Sequence, residues 1–178
     1  MNVLKTHLSG CVIIEPTVFG DERGFFLETF QASRYAQLAG IDLPFVQDNH
    51  SRSSKDVLRG LHFQKERPQG KLVRVVRGEV YDVAVDLRQD SSTFGEWKSV
   101  ILSEENKFQF WVPPGFAHGF LVLSDFADFE YKCTDYYDPS DEGCLSCNDP
   151  YLNIPWPVDN VKLSEKDANA PLLADLNL

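Results

Sequence analysis

The chain lacks any apolar run long enough to cross a bilayer, any leader-like charged and apolar start, and any dinucleotide-type glycine fingerprint. Those absences lead us to expect a cytoplasmic protein that works without a redox cofactor. Positive charge is scarce as well: 17 Lys and Arg stand against 27 Asp and Glu, a net charge of −10. Nucleic acid and anionic membrane both need a basic footprint, so neither is an expected partner. An anionic ligand would have to be held by local Arg or Lys against the overall field. Cysteine is limited to Cys11, Cys133, Cys144 and Cys147, and the single CxxC has no second copy. That arithmetic fits reduced thiols better than a zinc knuckle or a redox motif. Repeats, linkers and low-complexity tracts are missing too, so residues 1–178 read as one domain.

What is present is alternation. Lys71 to Val76 and Glu79 to Leu87 read as two β segments around a tight turn at Arg77-Gly78. Further strands are expected at Cys11–Ile14, Gly24–Phe30, Phe45–Asn49, Val57–Phe63, Trp97–Leu102, Phe108–Val112, Phe120–Leu123 and Phe129–Tyr136. Turn signals separate them, including Phe19-Gly20-Asp21, Phe94-Gly95 and Pro113-Pro114-Gly115. Many short strands at this spacing indicate an all-β sandwich or barrel. One short helix is expected near Ala32–Leu38 with Gly40 as its stop, and Ser164 is placed to cap a helical turn near the end.

The densest polar region runs through Gln47-Asp48-Asn49-His50-Ser51-Arg52 to Leu58-Arg59-Gly60-Leu61-His62-Phe63-Gln64. Strands that only build a core do not need so many hydrogen-bonding side chains, so part of this set is expected to face a polar ligand. A histidine between two apolar residues is most simply a satisfied core residue. In the company of Arg59, Gln64, Lys71, Tyr131, Tyr137 and Asp167, His62 also suits a general base, if a carboxylate fixes its second nitrogen. Tyr131 either packs its ring or donates a proton into a polar pocket. Arg23 either closes a surface salt bridge or grips phosphate. His118, three residues after Gly115, points either into a barrel lumen or into solvent. A cupin-type metal site would pair His118 with an earlier His-x-His, but here His62 is followed by Phe63 and Gln64, so the ligand count falls short.

Read in order, VFGDERGFFLETF from Val18, FVQDNHSRS from Phe45, VLRGLHFQ from Val57, QGKLVRVVRGEVYDVAVDLR from Gln69, STFGEW from Ser92, WVPPGFAHGFLVLS from Trp111, YKCTDYYDPSDEG from Tyr131, NDP from Asn148 and LSEKDANAP from Leu163 cover nearly the whole chain. Together they resemble the dTDP-4-dehydrorhamnose 3,5-epimerase family. The resemblance implies a cupin-like jelly roll with a few short helices, a homodimer, no metal and no cofactor. It implies a dTDP-linked 4-keto-6-deoxyhexose substrate and a step toward L-rhamnose. By motif, His62 corresponds to the base, Tyr131 to the acid, Asp167 to the group that orients His62, and Lys71 to a residue near the developing oxyanion. Arg23, Glu28, Gln47, Asn49, Arg59, His118, Glu142 and Lys166 correspond to ligand-contacting positions, with Asp82 and Tyr137 as further pocket residues. The departures are Cys147, where the family commonly has tryptophan, and a slightly shorter segment between His62 and Lys71. Relatives that act on one carbon share most of these motifs; retention of Tyr131 favours action at both C3 and C5. A metal-dependent cupin oxygenase and a non-catalytic sugar-nucleotide binding module are the other readings.

Overall fold

A computed structural model describes all of residues 1–178. The alternating segments become β1 (Asn2–Lys5), β2 (Val12–Glu15), β3 (Val18–Asp21), β4 (Gly24–Leu27), β5 (Gln47–Ser54), β6 (Leu58–Gln64) and β7 (Lys71–Arg77). They continue as β8 (Glu79–Asp86), β9 (Trp97–Ser103), β10 (Gln109–Val112), β11 (Phe116–Val122), β12 (Phe126–Cys133) and β13 (Glu142–Cys144). Helices are limited to α1 (Ala32–Ala39), α2 (Glu165–Ala168) and a 3-10 turn at Leu173–Asp175. Two antiparallel sheets, ordered β1-β2-β10-β7-β12-β5 and β13-β6-β11-β8-β9, face each other as a cupin-like jelly roll.

The core lies between the two inner faces. Val73, Val75, Phe110, Val112 and Phe129 from the six-stranded sheet meet Val80, Ala84, Leu102, Phe120 and Val122 from the five-stranded one, all buried. Burying each such side chain stabilises the fold by roughly 1.5–3 kcal/mol. The outer face of the six-stranded sheet is covered by α1 through Tyr35, which packs with Ile14, Leu72 and Trp111. The outer face of the other sheet is covered by the segment carrying Leu145, Leu152 and Ile154.

Both expected helix ends are as the residues specify. Gly40, at φ 69°, closes α1 in the left-handed conformation. Ser164 Oγ accepts the Asp167 amide at 3.1 Å and starts α2. The tight turn at Arg77-Gly78 lies where expected, and because β7 and β8 belong to different sheets it carries the chain between them. Several strand expectations need correction. β11 starts at Phe116, earlier than expected, because residues buried on both faces show no alternation. β5 extends through polar residues to Ser54, since its outer face of Asp48, His50 and Arg52 is exposed. Phe19-Gly20-Asp21 is not a turn but part of β3, which pairs with β4 in a separate hairpin.

Candidate active site

The interior is apolar at one end and polar at the other. At the polar end the inner faces part around a cavity of about 250 Å³. The six-stranded sheet contributes Gln47 and Asn49 from β5, Lys71 from β7 and Tyr131 from β12. The five-stranded sheet contributes His62 and Gln64 from β6 and Glu142 from β13, so His62 and Tyr131 stand on facing walls. A second groove of about 330 Å³ lies along Asp48, His50, Arg74, Glu130 and Lys132. Those outward charges are largely paired with one another, Arg74 with Glu130 at 3.1 Å and Lys132 with Asp48 at 2.9 Å. His62 is not among its lining residues.

The local sequence around His62 sets how closely the strands approach. A Cβ on Gly60 would lie 2.6 Å from the Cα of Gly119, so only glycine admits this contact between β6 and β11. Across the strands His62 faces His118 on one side and Cys144 on the other. His62 Nε2 is 2.6 Å from Asp167 Oδ1, which α2 brings over the sheet edge. Burial alone pushes the Asp167 carboxyl up, but its contact with His62 and the Ser164 hydroxyl more than offset that, and its pKa lies below the usual range. The other ring nitrogen, Nδ1, lies 4.0 Å from Glu142 Oε1 on the cavity side. Cys144 Sγ donates weakly to Asp167 Oδ1 at 3.5 Å, and burial together with that carboxylate pushes the thiol up to about 12.

The facing wall carries the remaining titratable groups. Burial lowers the Lys71 pKa, opposed by Cys133, Glu142 and Asp82. A desolvated ammonium without a direct ion pair is well suited to answer negative charge that appears only during a reaction. Burial raises the Tyr131 pKa, so its phenol stays protonated and available as a donor. Behind these groups His118 Nε2 sits 2.9 and 3.0 Å from the two oxygens of Asp82, both residues buried. The two histidines are thus neighbours, each committed to a different aspartate rather than to a common centre.

Other sequence-selected residues fall at the rim. Glu142 accepts from Tyr137 Oη at 2.9 Å and pairs with Lys166. Gln47 Oε1 accepts the Tyr137 amide at 2.9 Å, and Gln47 Nε2 donates to Asn49 at 3.1 Å. Arg59 is exposed and donates to Ser53 Oγ at 2.8 Å. Arg23 and Glu28 are not brought to this cavity. Arg23 pairs with Asp21 at the tip of the β3–β4 hairpin, and Glu28 pairs with Arg34. Sequence reasoning passed over Gln69, which lines the cavity and anchors the Asp135 carbonyl at 2.8 Å, and it gave Cys144 no place. Nothing local marks Gln69; its position follows only from the pairing of β7 with β12.

A jelly roll holding an imidazole–carboxylate pair and a phenol across one polar cavity defines an acid–base enzyme of the cupin-like class. Residues 5–175 match the sequence profile described as dTDP-4-dehydrorhamnose 3,5-epimerase. The dTDP-4-dehydrorhamnose 3,5-epimerase of Salmonella typhimurium is 57% identical over 97% of this chain and 96% of its own length. The dTDP-6-deoxy-D-glucose-3,5-epimerase of Legionella pneumophila, solved with dTDP-4-keto-L-rhamnose, superposes with a TM-score of 0.97. It is 59% identical, and the match covers 99% of this chain and 94% of that one. A 3′-monoepimerase from Streptomyces bikiniensis, solved with dTDP-quinovose, gives a TM-score of 0.90 at 36% identity over 96% and 87% of the two chains. The chain belongs to the dTDP-4-dehydrorhamnose 3,5-epimerase family.

Proposed function

We propose that this enzyme inverts both C3 and C5 of dTDP-4-dehydro-6-deoxy-D-glucose, giving dTDP-4-dehydro-L-rhamnose in dTDP-L-rhamnose biosynthesis. The observation that carries the reading is the placement of His62 and Tyr131 on opposite walls of one cavity. The C4 ketone acidifies the hydrogens on C3 and C5, because each carbanion delocalises into an enolate. Inversion needs a base on one face of the ring and an acid on the other. His62 takes the proton with Nδ1, while Asp167 holds Nε2 and steadies the imidazolium. Lys71 stabilises the enolate oxygen, and Tyr131 returns a proton from the far side. The sequence of steps is redox-neutral and draws on no cofactor or metal. Gln47, Asn49, Arg59, Glu142 and Lys166 position the dTDP-sugar, whereas His118, turned to Asp82 behind the cavity, supports the wall that carries His62.

Arg23 and Glu28 enter this scheme through a homodimer. The β3–β4 hairpin leaves Phe19, Phe25 and Phe26 at 61%, 62% and 68% exposure, an apolar surface more suited to a second copy than to water. Docked there, the hairpin would carry Arg23 toward a neighbouring diphosphate, for which the guanidinium would exchange its Asp21 partner. Replacing Phe25 and Phe26 by serine together should shift the protein to monomer in sedimentation; an unchanged dimer would remove the hairpin from the interface. Free, largely buried cysteines accord with a cytoplasmic setting.

The reaction is tested in D₂O by mass spectrometry and NMR of the product. Deuterium at both C3 and C5 is expected. Label at one carbon only would instead support a single-site epimerase, the activity that the Streptomyces bikiniensis relative's name gives it.

A further inference from the structure

We infer that His62, Asp167 and Cys144 form a binding site for a thiophilic divalent cation of the zinc or cadmium class, and that its occupation blocks the base. The inhibitory half rests on the proposed role of His62; the binding half rests on geometry alone.

His62 and Cys144 are cross-strand partners at the edge where β13 joins β6, and Asp167 reaches over that edge from α2. The potential ligand atoms of the three residues all lie within 4.8 Å of one another. Tetrahedral zinc, bonded at about 2.0 Å to nitrogen and oxygen and about 2.3 Å to sulfur, holds its ligands roughly 3.3–3.6 Å apart. The Cys144 Sγ to Asp167 Oδ1 distance of 3.5 Å already meets that requirement. The His62 Nε2 to Asp167 Oδ1 contact of 2.6 Å must open by less than an ångström, a small turn of the imidazole. Asp167 is buried and held by the Ser164 cap, whereas His62 retains 30% side-chain exposure. Cys144 is half-buried as well, so the cluster is not sealed from solvent on the Nε2 side of the ring.

The donor set decides the class of ion. One imidazole, one carboxylate and one thiolate suit zinc or cadmium, whereas magnesium and calcium demand oxygen ligands. Binding releases the Cys144 thiol proton to solvent, and the resulting thiolate and carboxylate balance the dication. Nε2 gives its lone pair to the metal, so the ring hydrogen must reside on Nδ1. That is the nitrogen facing the cavity, and once protonated it cannot accept a proton from substrate. The cation would stop the reaction without occupying the sugar's place.

The full-length protein, stripped with EDTA, is titrated with cadmium chloride. The expected result is a thiolate-to-cadmium charge-transfer band saturating at one equivalent, with at least a tenfold loss of solvent exchange into the substrate, reversed by EDTA. Cys144→Ser should abolish the band and raise the half-inhibiting cadmium concentration at least tenfold, while Cys133→Ser keeps both. Circular dichroism checks that each variant is folded, and Cys144→Ala repeats the test without a hydroxyl. A band that survives Cys144→Ser and Cys144→Ala, or no band at saturating cadmium, overturns the site. A Cys144-dependent band with undiminished exchange keeps the site but overturns the inhibition; the role of His62 as base is judged separately, by loss of exchange in His62→Ala without cadmium.

Discussion

Two histidine–aspartate pairs lie side by side in the interior, and they differ chiefly in their access to the cavity. His118 and Asp82 have side chains 7% and 0% exposed, and the His118 ring stacks on Phe129 with centroids 6.2 Å apart. His62 and Asp167 are 30% and 4% exposed, and the second nitrogen of His62 opens toward Glu142 and the polar cavity. The same two side chains thus serve different ends. In the deep pair, both groups lose water and must satisfy each other, so the contact fixes structure. In the shallow pair, only the carboxylate is deeply buried, and the imidazole has a free face on which to do chemistry.

The sharpest way to break the comparison is to remove the shallow imidazole. His62→Ala should lower turnover by about 10²–10⁴, the usual contribution of a general base, and it also leaves the buried Asp167 carboxyl without its imidazole, so turnover is compared on protein shown to be folded. Solvent exchange should fall with product. If turnover survives, the open pair is no different in kind from the buried one, and the proposed division between them fails.

Tyr131→Phe probes the facing wall. Proton abstraction by His62 should persist, so recovered substrate still acquires deuterium. Formation of inverted product should drop by about 10²-fold, the lower part of the range for a lost general acid. Equal decline of exchange and product would mean that Tyr131 does not act after His62.

The contrast between the pairs also shows what the sequence discloses. His62 and Tyr131 could be singled out because polar groups in alternating strands need a reason to be there. The helix stop at Gly40 and the cap at Ser164 were legible because each depends on a neighbouring stretch of backbone. Which carboxylate meets which histidine was not fixed by residue pattern, because Asp167 is 105 residues from His62 and Asp82 is 36 from His118. The family resemblance supplied the first partner; the second follows from the register of β8 against β11. The Gly78 turn was legible but its destination was not, because a glycine turn between apolar runs looks alike whether it closes a hairpin or carries the chain to the opposite sheet. Arg23 is the remaining gap: its motif was recognisable, but one chain alone leaves it far from the cavity.

The deep pair should fail differently. His118→Ala leaves Asp82 buried beside Lys71 without its hydrogen-bond partner, and loss of one member of a buried pair costs about 3 kcal/mol or more. Burial already raises the Asp82 pKa, with His118 and Lys71 opposing it, so removing His118 raises it further. A carboxyl with a folded pKa above its unfolded value stabilises most when protonated in both states. The deficit should therefore be least at acid pH and deepen as pH rises through the folded pKa. Urea unfolding at several pH values would show this, and a pH-independent deficit would mean that Asp82 is not the group left unpaired.

The smallest effect concerns a third buried carboxylate, four residues along the same strand. Asp86 has a fully buried side chain, like Asp82, but its partners are hydrogen-bond donors rather than an imidazole. Burial pushes its pKa up, yet hydrogen bonds from Arg88, Ser91 and Thr93 prevail and hold it at about 2. Here the sign is opposite to that of Asp82. A folded pKa below the ordinary value of 3.8 gives stability that is present above that pH and lost as pH falls toward 2. Asp86→Asn should cost about 2 kcal/mol at neutral pH, the scale of hydrogen bonds to a charged group. The difference from wild type should shrink between pH 4 and pH 2, as the native carboxylate takes up its proton. If the gap instead stayed constant down to pH 2, the donors around Asp86 would be stabilising its shape rather than its charge, and burial beside a cation would not distinguish it from Asp82.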